Sequence, residues 1–356
     1  MREPIRLSMQ DLVVRDWSSF DDVLDTRSPS EFHLDHLPGA LSAPVLDDAQ
    51  RIEIGTLHKQ VGPFEANRLG AAYVARNIAR HLEERFIDRG RDWSALVYCW
   101  RGGQRSNAMA TILARVGWRI YVLDGGYRAY RSEVVKALET LPNPLRWVVL
   151  AGRTGCGKSK LLQALARNGA QILDLESLAE HRGSVLGGLP GIAQPSQKWF
   201  ESQLWHALRS LDPKRPVYVE SESRKLGRIH VPDSLMMAMR RADCITVDAP
   251  VAVRAEFLVA NYPYWVESPK QLIEQLGFIA PFHSKERIAA WTRLIEDAAW
   301  EEFVQAVLSE HYDPAYDRAM QRNFVALADA LTLRTASLNE ASINALAQSI
   351  LERSES

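Results

Sequence analysis

Short apolar runs alternate in the first half of the chain with segments whose apolar residues recur at helical spacing. Residues 95–98 and 120–123 have the length and continuous hydrophobicity of buried strands, and residues 23–25 form a shorter run of the same kind. Residues 106–116 have the spacing of a helix. Strands that alternate with helices in this way predict a parallel sheet.

The second half repeats this alternation and then becomes mostly helical from about Val251. A helix is predicted at residues 160–167, and strands are predicted at residues 147–151, 172–176, 217–222 and 244–248. Between the halves, the two prolines of Leu141-Pro142-Asn143-Pro144 break any preceding helix. We therefore expect an α/β chain with domains at 1–141 and 146–356 and a proline-rich linker at 142–145.

Composition indicates a globular protein with two hydrophobic cores. The 356 residues are 46% hydrophobic and 24% charged, and no apolar stretch is long enough to cross a membrane. The first residues lack an apolar leader, and three well-separated cysteines form no disulfide framework, so we expect a cytoplasmic location and no membrane contact. The net charge of −1 gives no signature of nucleic-acid binding, and no protein partner is indicated.

A cysteine followed by an arginine-rich turn lies between the strand at 95–98 and the next helix. The run is Cys-Trp-Arg-Gly-Gly-Gln-Arg-Ser, and it contains Cys99, Arg101, Gly102, Gly103 and Arg105. A helix N-terminus, two arginines and a flexible glycine pair favour bound anions and lower a thiol pKa. A buried structural cysteine is the alternative, but this setting favours a nucleophilic thiolate.

The second half opens with a strand, a glycine-rich loop and a helix. Its loop, Gly-Arg-Thr-Gly-Cys-Gly-Lys-Ser, matches G-x-x-x-x-G-K-[ST] in full, with Gly152, Gly155, Gly157, Lys158 and Ser159 at the defining positions. The glycines let backbone N–H groups surround a diphosphate, and the lysine reaches the outer phosphate. Ser159 is the candidate ligand for Mg²⁺.

Two predicted strands end in acidic residues. Asp174 and Glu176 follow one strand, and Glu220 and Glu222 follow the other. Strand carboxyl ends face the ligand crevice of an open α/β sheet, so either pair could hold Mg²⁺ through water or act as a base. Solvated strand caps are the alternative, and we favour a binding role for Glu220.

Other conspicuous side chains have ordinary structural explanations. We expect Cys156 to fill a variable loop position and Cys244 to be buried and inert. Tyr262, Tyr264 and Trp265 could stack on exposed bases or line a lipid groove. Aromatic residues at such spacing are more often core, and core is our expectation.

The first half resembles the rhodanese fold over residues 10–135. The resemblance rests on an entry pattern, the cysteine loop and a closing glycine pair, which comprise Asp25, Arg27, Glu31, Phe32, His36, Pro38, Gly39, Ala40, residues 99–105, Gly125 and Gly126. It implies that Cys99 carries a transferable chalcogen in a persulfide-type intermediate. It also implies an Arg27–Glu31 ion pair and a structural His36.

The two halves together resemble the tRNA 2-selenouridine synthase family across essentially the whole chain. Further matching runs are residues 173–176, 181–184, 194–197, 219–223 and 311–316. The resemblance implies selenium-for-sulfur replacement at C2 of wobble 2-thiouridine in the tRNAs for Lys, Glu and Gln. It also implies an S-geranyl intermediate and binding of the tRNA anticodon loop.

Two donors follow from that resemblance. Geranyl diphosphate suits the glycine-rich loop, which reads phosphates through backbone N–H groups and would make Glu220 part of the same site. Selenophosphate suits the cysteine loop, with Arg101 and Arg105 on the phosphate and Cys99 taking the selenium.

Two other activities remain open on the sequence. A cysteine phosphatase would use the same C-x₅-R loop on phosphate monoesters, although the Gly125-Gly126 ending counts against it. A rhodanese-type sulfurtransferase coupled to an ATPase would use the glycine-rich loop for ATP.

Overall fold

A computed structural model describes residues 2–183, 187–188, 191–327 and 329–354; Ser184 of the 181–184 run lies outside them. The chain divides into two compact units. The first contains residues 1–137 and 196–206, and the second contains residues 138–195 and 207–356. The segment 196–206 thus groups with the N-terminal body, whereas the sequence places it in the second domain.

The first unit is built on a five-stranded, all-parallel sheet in the order β1-β5-β4-β2-β3. Its strands are β1 (Ile5–Leu7), β2 (Asp22–Asp25), β3 (Leu41–Ser42), β4 (Ser94–Tyr98) and β5 (Arg119–Leu123). Its helices are α1 (Met9–Arg15), α2 (Pro29–Leu34), α3 (Asp48–Gln60), α4 (Pro63–His81), α5 (Gln104–Val116) and α6 (Gly126–Leu138). Val97 of β4, Val122 of β5 and Leu113 of α5 belong to one buried apolar cluster, so the strand and helix that flank Cys99 share a core.

The second unit has its own parallel sheet, in the order β12-β11-β6-β8-β7. Its strands are β6 (Arg146–Ala151), β7 (Gln171–Leu173), β8 (Pro216–Glu220), the antiparallel pair β9 (Lys225–Leu226) and β10 (Ile229–His230), β11 (Asp243–Asp248) and β12 (Leu331–Arg334). The parallel sheets of both units confirm the predicted α/β class.

Helices dominate the later part of the chain, as expected. They are α7 (Lys158–Arg167), α8 (Leu175–Ala179), α9 (Gln197–Arg209), α10 (Asp233–Arg240), α11 (Val251–Asn261), α12 (Pro263–Glu267), α13 (Pro269–Leu276), α14 (Lys285–Glu296), α15 (Trp300–Val307), α16 (Asp313–Asn323) and α17 (Glu340–Ser354). A π-helical turn at Leu308–Tyr312 joins α15 to α16. Within the described ranges, no helix has both the length and the apolar character that a membrane span requires.

Two predicted strands are too long. The run 217–222 is strand only to Glu220. The run 172–176 is strand only to Leu173, because the Asp174 carboxylate accepts a hydrogen bond from the Ser177 backbone N–H at 2.8 Å and begins α8. Glu176 therefore lies in the first turn of a helix rather than at the end of a strand.

Helix α9 packs its aromatic side chains within the first unit. The Trp205 ring stacks on Trp17 with 5.4 Å between ring centroids and meets the edge of Tyr130 at the same distance. Glu201 forms an ion pair with Arg131. Trp205 is 1% exposed, so α9 is part of this unit's core rather than a surface addition.

Candidate functional site

The cysteine loop occupies the junction between the end of β4 and the start of α5. Cys99 follows the last residue of β4 directly, is 3% exposed and has no disulfide partner. Its Sγ accepts hydrogen bonds from the Gly103 N–H at 3.3 Å and from the Ser106 hydroxyl at 3.2 Å. A sulfur held by donors at a helix N-terminus is poised to exist as a thiolate.

The environment of Cys99 acts on its pKa in two directions. Burial disfavours the charged form and by itself raises the pKa. Hydrogen bonds from the Ser106 hydroxyl and from the backbone N–H groups of Ser106, Arg101 and Gly103 favour the thiolate. The result is a pKa below the ordinary thiol value, so the loop favours the nucleophilic thiolate.

The glycine pair Gly125-Gly126, which follows β5, packs closely against the backbone of the cysteine loop. Gly126 has φ +54°, and a Cβ there would collide with the Cys99 carbonyl oxygen and lie 2.6 Å from the Gly102 nitrogen. The Cys99 carbonyl accepts a hydrogen bond from the Tyr127 N–H at 2.8 Å. The backbone of the thiol loop is therefore fixed by the neighbouring strand end before any ligand arrives.

The two loop arginines have different surroundings. Arg101 is exposed, whereas Arg105 is largely buried and its Nη1 donates to Glu31 Oε2 at 2.8 Å.

The predicted Arg27–Glu31 ion pair is wrong. Arg27 is 1% exposed and binds Asp25 at 2.6 Å, because a buried guanidinium needs a buried carboxylate and Asp25 ends the adjacent strand.

His36 has the structural role that the resemblance implies. Its ring stacks between Phe32 and Trp199, with centroid distances of 3.8 and 4.0 Å, and its Nδ1 lies 2.9 Å from the Phe32 carbonyl oxygen. Burial lowers the pKa of His36, so the ring is neutral near pH 7.

The glycine-rich loop of the second unit lies between β6 and α7, the predicted strand–loop–helix setting. Gly155 and Gly157 both have positive φ. Gly152 has φ +148°, and a Cβ there would lie 2.5 Å from Cys156 Sγ and 2.6 Å from the Val247 carbonyl oxygen. Only glycine fits this close approach.

Lys158 and Ser159, the loop residues assigned to phosphate and to Mg²⁺, both form hydrogen bonds with other groups of the chain. Lys158 Nζ donates to the Gly152 carbonyl at 2.7 Å and lies 5.7 Å from the centre of the Tyr316 ring. Burial opposes its charge, but the nearby Cys156, Tyr316 and glutamates outweigh this effect and raise the Lys158 pKa. The Ser159 hydroxyl donates to Glu176 Oε2 at 3.1 Å.

Three carboxylates converge beside Ser159. One oxygen each of Glu176, Glu220 and Glu222 lies within 4.8 Å of the others. Burial, followed by repulsion from a neighbouring carboxylate, raises the pKa of each of these groups, and Lys158 opposes the increase. Asp174, by contrast, is used as the helix cap.

This carboxylate cluster fits a divalent cation. Glu220 is 1% exposed, and its Oε2 is buried without a hydrogen-bond partner, which is costly unless a proton or a cation satisfies the oxygen. Carboxylate and hydroxyl oxygens are the ligands that Mg²⁺ prefers. The sequence offered both acidic pairs as candidates and favoured Glu220; the fold brings Glu176 of α8 and Glu222 of the loop after β8 together with Glu220.

Two cysteines are excluded as nucleophiles by their surroundings. Cys156 is 1% exposed in the core of the second unit, and burial raises its pKa. Burial also raises the pKa of Cys244, to about 11. Both placements agree with the expectation that these residues are inert.

Residues from α11 and α16 support the glycine-rich loop, although sequence spacing gave them no role. The Tyr316 hydroxyl accepts a hydrogen bond from the Gly152 N–H at 2.6 Å. Arg254 donates to the Thr154 carbonyl at 3.0 Å and to both Asp313 oxygens at 2.9 and 2.7 Å. The run 311–316 that carried the resemblance therefore contacts the loop directly.

Comparison with known proteins bears on both units. Residues 9–133 match the rhodanese-like domain model, and residues 145–289 match the model for the tRNA 2-selenouridine synthase AAA domain. A crystal structure of a rhodanese-related protein from Thermoplasma volcanium is 19% identical over 36% of this chain and 92% of its own length, with a TM-score of 0.24.

Curated relatives extend the match across both halves. The tRNA 2-selenouridine synthase of Nitrosomonas europaea is 34% identical over 67% of this chain, which spans 63% of that relative's length. The protein of the same name from Sulfurovum sp. is 30% identical over 85% of this chain and 89% of its own length. The chain therefore belongs to the tRNA 2-selenouridine synthase family.

Proposed function

We propose that this protein converts wobble 2-thiouridine in the tRNAs for Lys, Glu and Gln into 2-selenouridine, through S-geranylation followed by selenation. The observation that carries the proposal is the pairing of two different anion-binding loops, each at the carboxyl end of its own parallel sheet. The Cys99 loop offers a thiol of lowered pKa. The glycine-rich loop offers no such thiol, because Cys156 is buried with a raised pKa.

The first step is assigned to the glycine-rich loop. The thiocarbonyl sulfur of the base forms a bond to C1 of geranyl diphosphate, the C–O bond breaks, and pyrophosphate leaves with the electron pair. The base loses its N3 proton to solvent. In this proposal Lys158, the first residue of α7, and the loop N–H groups hold the diphosphate and stabilise the charge of the leaving group.

Mg²⁺ would be held in this step by Ser159, Glu176, Glu220 and Glu222. It would supply positive charge next to the departing pyrophosphate. A bound cation would lower the raised pKa values of the three carboxylates again, because its positive charge favours their ionised forms.

The second step is assigned to the Cys99 loop, with selenophosphate as the donor. The loop N–H groups, Arg101 and Arg105 hold the phosphate beside Cys99. The Cys99 thiolate bonds to phosphorus as the P–Se bond breaks with its electron pair on selenium, and water then cleaves the S–P bond to release phosphate and restore the thiol. The hydrogen selenide released in this way adds at C2 of the base, the C–S bond breaks, and geranylthiol leaves. The proton on selenium and one proton from solvent supply the thiol and N3. An alkylated sulfur leaves far more readily than a thiocarbonyl sulfur, which explains why geranylation comes first.

The two steps can be separated by substituting one loop at a time. We expect Cys99→Ser to abolish selenation and to accumulate S-geranyl-2-thiouridine, because alkylation needs no thiol. We expect Lys158→Ala to lower geranylation about ten- to hundredfold, through loss of a charge-assisted hydrogen bond, and still to selenate tRNA that is supplied already geranylated. Mass spectrometry of nucleosides measures both products. EDTA should lower geranylation but should not lower the selenation of tRNA that is supplied already geranylated.

Cys244→Ser is the matched control for the thiol, since Cys244 is buried elsewhere with a raised pKa. Normal 2-selenouridine formation by Cys99→Ser would refute the assignment of the second step. Refusal of pre-geranylated tRNA by Lys158→Ala would show that the glycine-rich loop serves more than the first step.

A further inference from the structure

An apolar cavity in the second unit begins at the glycine-rich loop. It encloses about 90 Å³, several times the roughly 10–15 Å³ that one water molecule needs. Thr154, a residue of the loop itself, forms part of its lining. The rest of the lining comes from α11, α12, α13, α15 and the turn at Leu308–Tyr312.

The cavity wall and the phosphate loop are in direct contact. A Cβ at Gly155 would lie 2.7 Å from Leu258 Cδ1, so the α11 side chain that lines the cavity packs against the loop backbone. One turn earlier on α11, Arg254 holds the Thr154 carbonyl. A ligand whose diphosphate lies on the loop therefore has an apolar space immediately beside it.

The chemistry of the lining selects the kind of ligand. Trp265, Trp300 and Phe303 supply large apolar surfaces, and the hydroxyl-bearing residues of the lining are Thr154, Tyr262 and Tyr312. No charged side chain lines the cavity within the described part of the chain. The polar edges of a purine would find few hydrogen-bond partners in this lining. A hydrocarbon chain needs no such partners and fits an apolar lining.

We propose that this cavity binds the hydrocarbon chain of an isoprenoid diphosphate whose diphosphate lies on the glycine-rich loop. The assignment rests on the proposed use of geranyl diphosphate, and it adds the residues that select the hydrocarbon part of the donor. Leu272 and Phe303, each 4% exposed, tie the cavity to the apolar cluster of α13–α15. Tyr262 and Trp265 are thus lining residues of a lipid site, the alternative that aromatic spacing left open.

Equilibrium binding tests this assignment without requiring catalysis. The probes are inorganic pyrophosphate, dimethylallyl diphosphate and geranyl diphosphate, titrated calorimetrically into the full chain. We expect geranyl diphosphate to bind at least about tenfold more tightly than dimethylallyl diphosphate, because its longer chain buries more apolar surface. Its binding should also have the more negative heat-capacity change.

Filling the cavity should remove this preference. We expect Val304→Phe on α15 and, independently, Val266→Phe on α12 to weaken geranyl diphosphate binding at least about tenfold while pyrophosphate binding stays unchanged. Ile288→Phe is the matched control, because Ile288 packs against the same cluster without lining the cavity. Thermal unfolding of each variant checks that the fold persists.

The possible results distinguish failure of the cavity assignment from failure of the proposed function. Equal affinity of the wild type for the short and long isoprenoids, or an unchanged preference in both filled variants, would overturn the cavity assignment even if geranyl transfer occurs. Tight, chain-dependent binding without transfer to 2-thiouridine would support the cavity and refute the proposed first step.

Discussion

At the scale of single residues, the hydrogen bond from Ser106 to Cys99 should set the reactivity of the thiol. Ser106→Ala removes a donor that favours the thiolate, so the Cys99 pKa should rise. The thiolate is the reactive form, so the rate of alkylation by iodoacetamide at neutral pH should fall severalfold and its pH profile should move to higher pH.

The measurement is the rate of Cys99 modification against pH, followed by mass spectrometry of the intact protein. Cys156 and Cys244 contribute little because burial raises both pKa values. Ser210→Ala, at an exposed position, serves as the control. An unchanged pH profile in Ser106→Ala would show that the backbone N–H groups alone lower the pKa of Cys99.

Arg105 should be irreplaceable by lysine. Its guanidinium lies against Glu31 and can bind a second anion through its other N–H groups, a geometry that an ammonium group does not reproduce. We expect Arg105→Lys to impair selenation about ten- to hundredfold, as loss of a charge-assisted hydrogen bond allows, and geranylation little.

Nucleoside analysis of both products measures the effect, with Arg115→Lys on the same helix as the control, since Arg115 forms an exposed ion pair with Glu3. An equal loss of both steps would point instead to a folding defect or a shared site.

At the scale of elements, α16 supports the glycine-rich loop through one buried and one exposed ion pair. Arg254 and Asp313 are 3% and 13% exposed, whereas Arg153 and Asp317 are 47% and 42% exposed. Removing Arg254 leaves the largely buried Asp313 with only the half-exposed Arg153, 4.0 Å away, as a cationic partner, so Arg254→Ala should cost up to about 3–5 kcal/mol of unfolding free energy. Arg153→Ala should cost about 0–1 kcal/mol.

Urea denaturation of the two variants provides the comparison, since both arginines pair with aspartates one turn apart on α16. Equal losses would contradict the assignment of α16 as a support that acts through its buried pair. If Arg254→Ala is nearly as stable as the wild type, that result would also contradict this role of the buried pair.

The helices and strands also show which structural features local sequence can predict. Strands β4, β6, β8 and β11 and the loops after β4 and β6 follow from apolar runs and glycine spacing, which are local signals. The wrong end of the 172–176 strand came from ignoring the Asp174 helix cap. The contacts of Tyr316 and Arg254 with the loop were not predictable, because the partners lie 164 and 100 residues apart.

At the scale of the whole molecule, the balanced charge limits how tRNA can be bound. With a net charge of −1, we expect a few local phosphate contacts and stacking on an unstacked wobble base rather than one broad basic face. The logarithm of tRNA affinity should therefore fall only modestly with the logarithm of salt concentration.

Titration of tRNA between about 50 and 200 mM salt measures that slope. A loss of affinity of about a thousandfold or more across this range would reveal an extensive phosphate interface that the net charge conceals.

The placement of α9 has a consequence for the order in which the protein is made. Domains generally fold as units while the chain emerges, N-terminal part first. Trp17 and Tyr130 leave the ribosome early, yet Trp205, which covers them, follows only after the strand and helix that flank the glycine-rich loop. The first unit therefore completes its core only after residues 138–195 of the second unit have been synthesised.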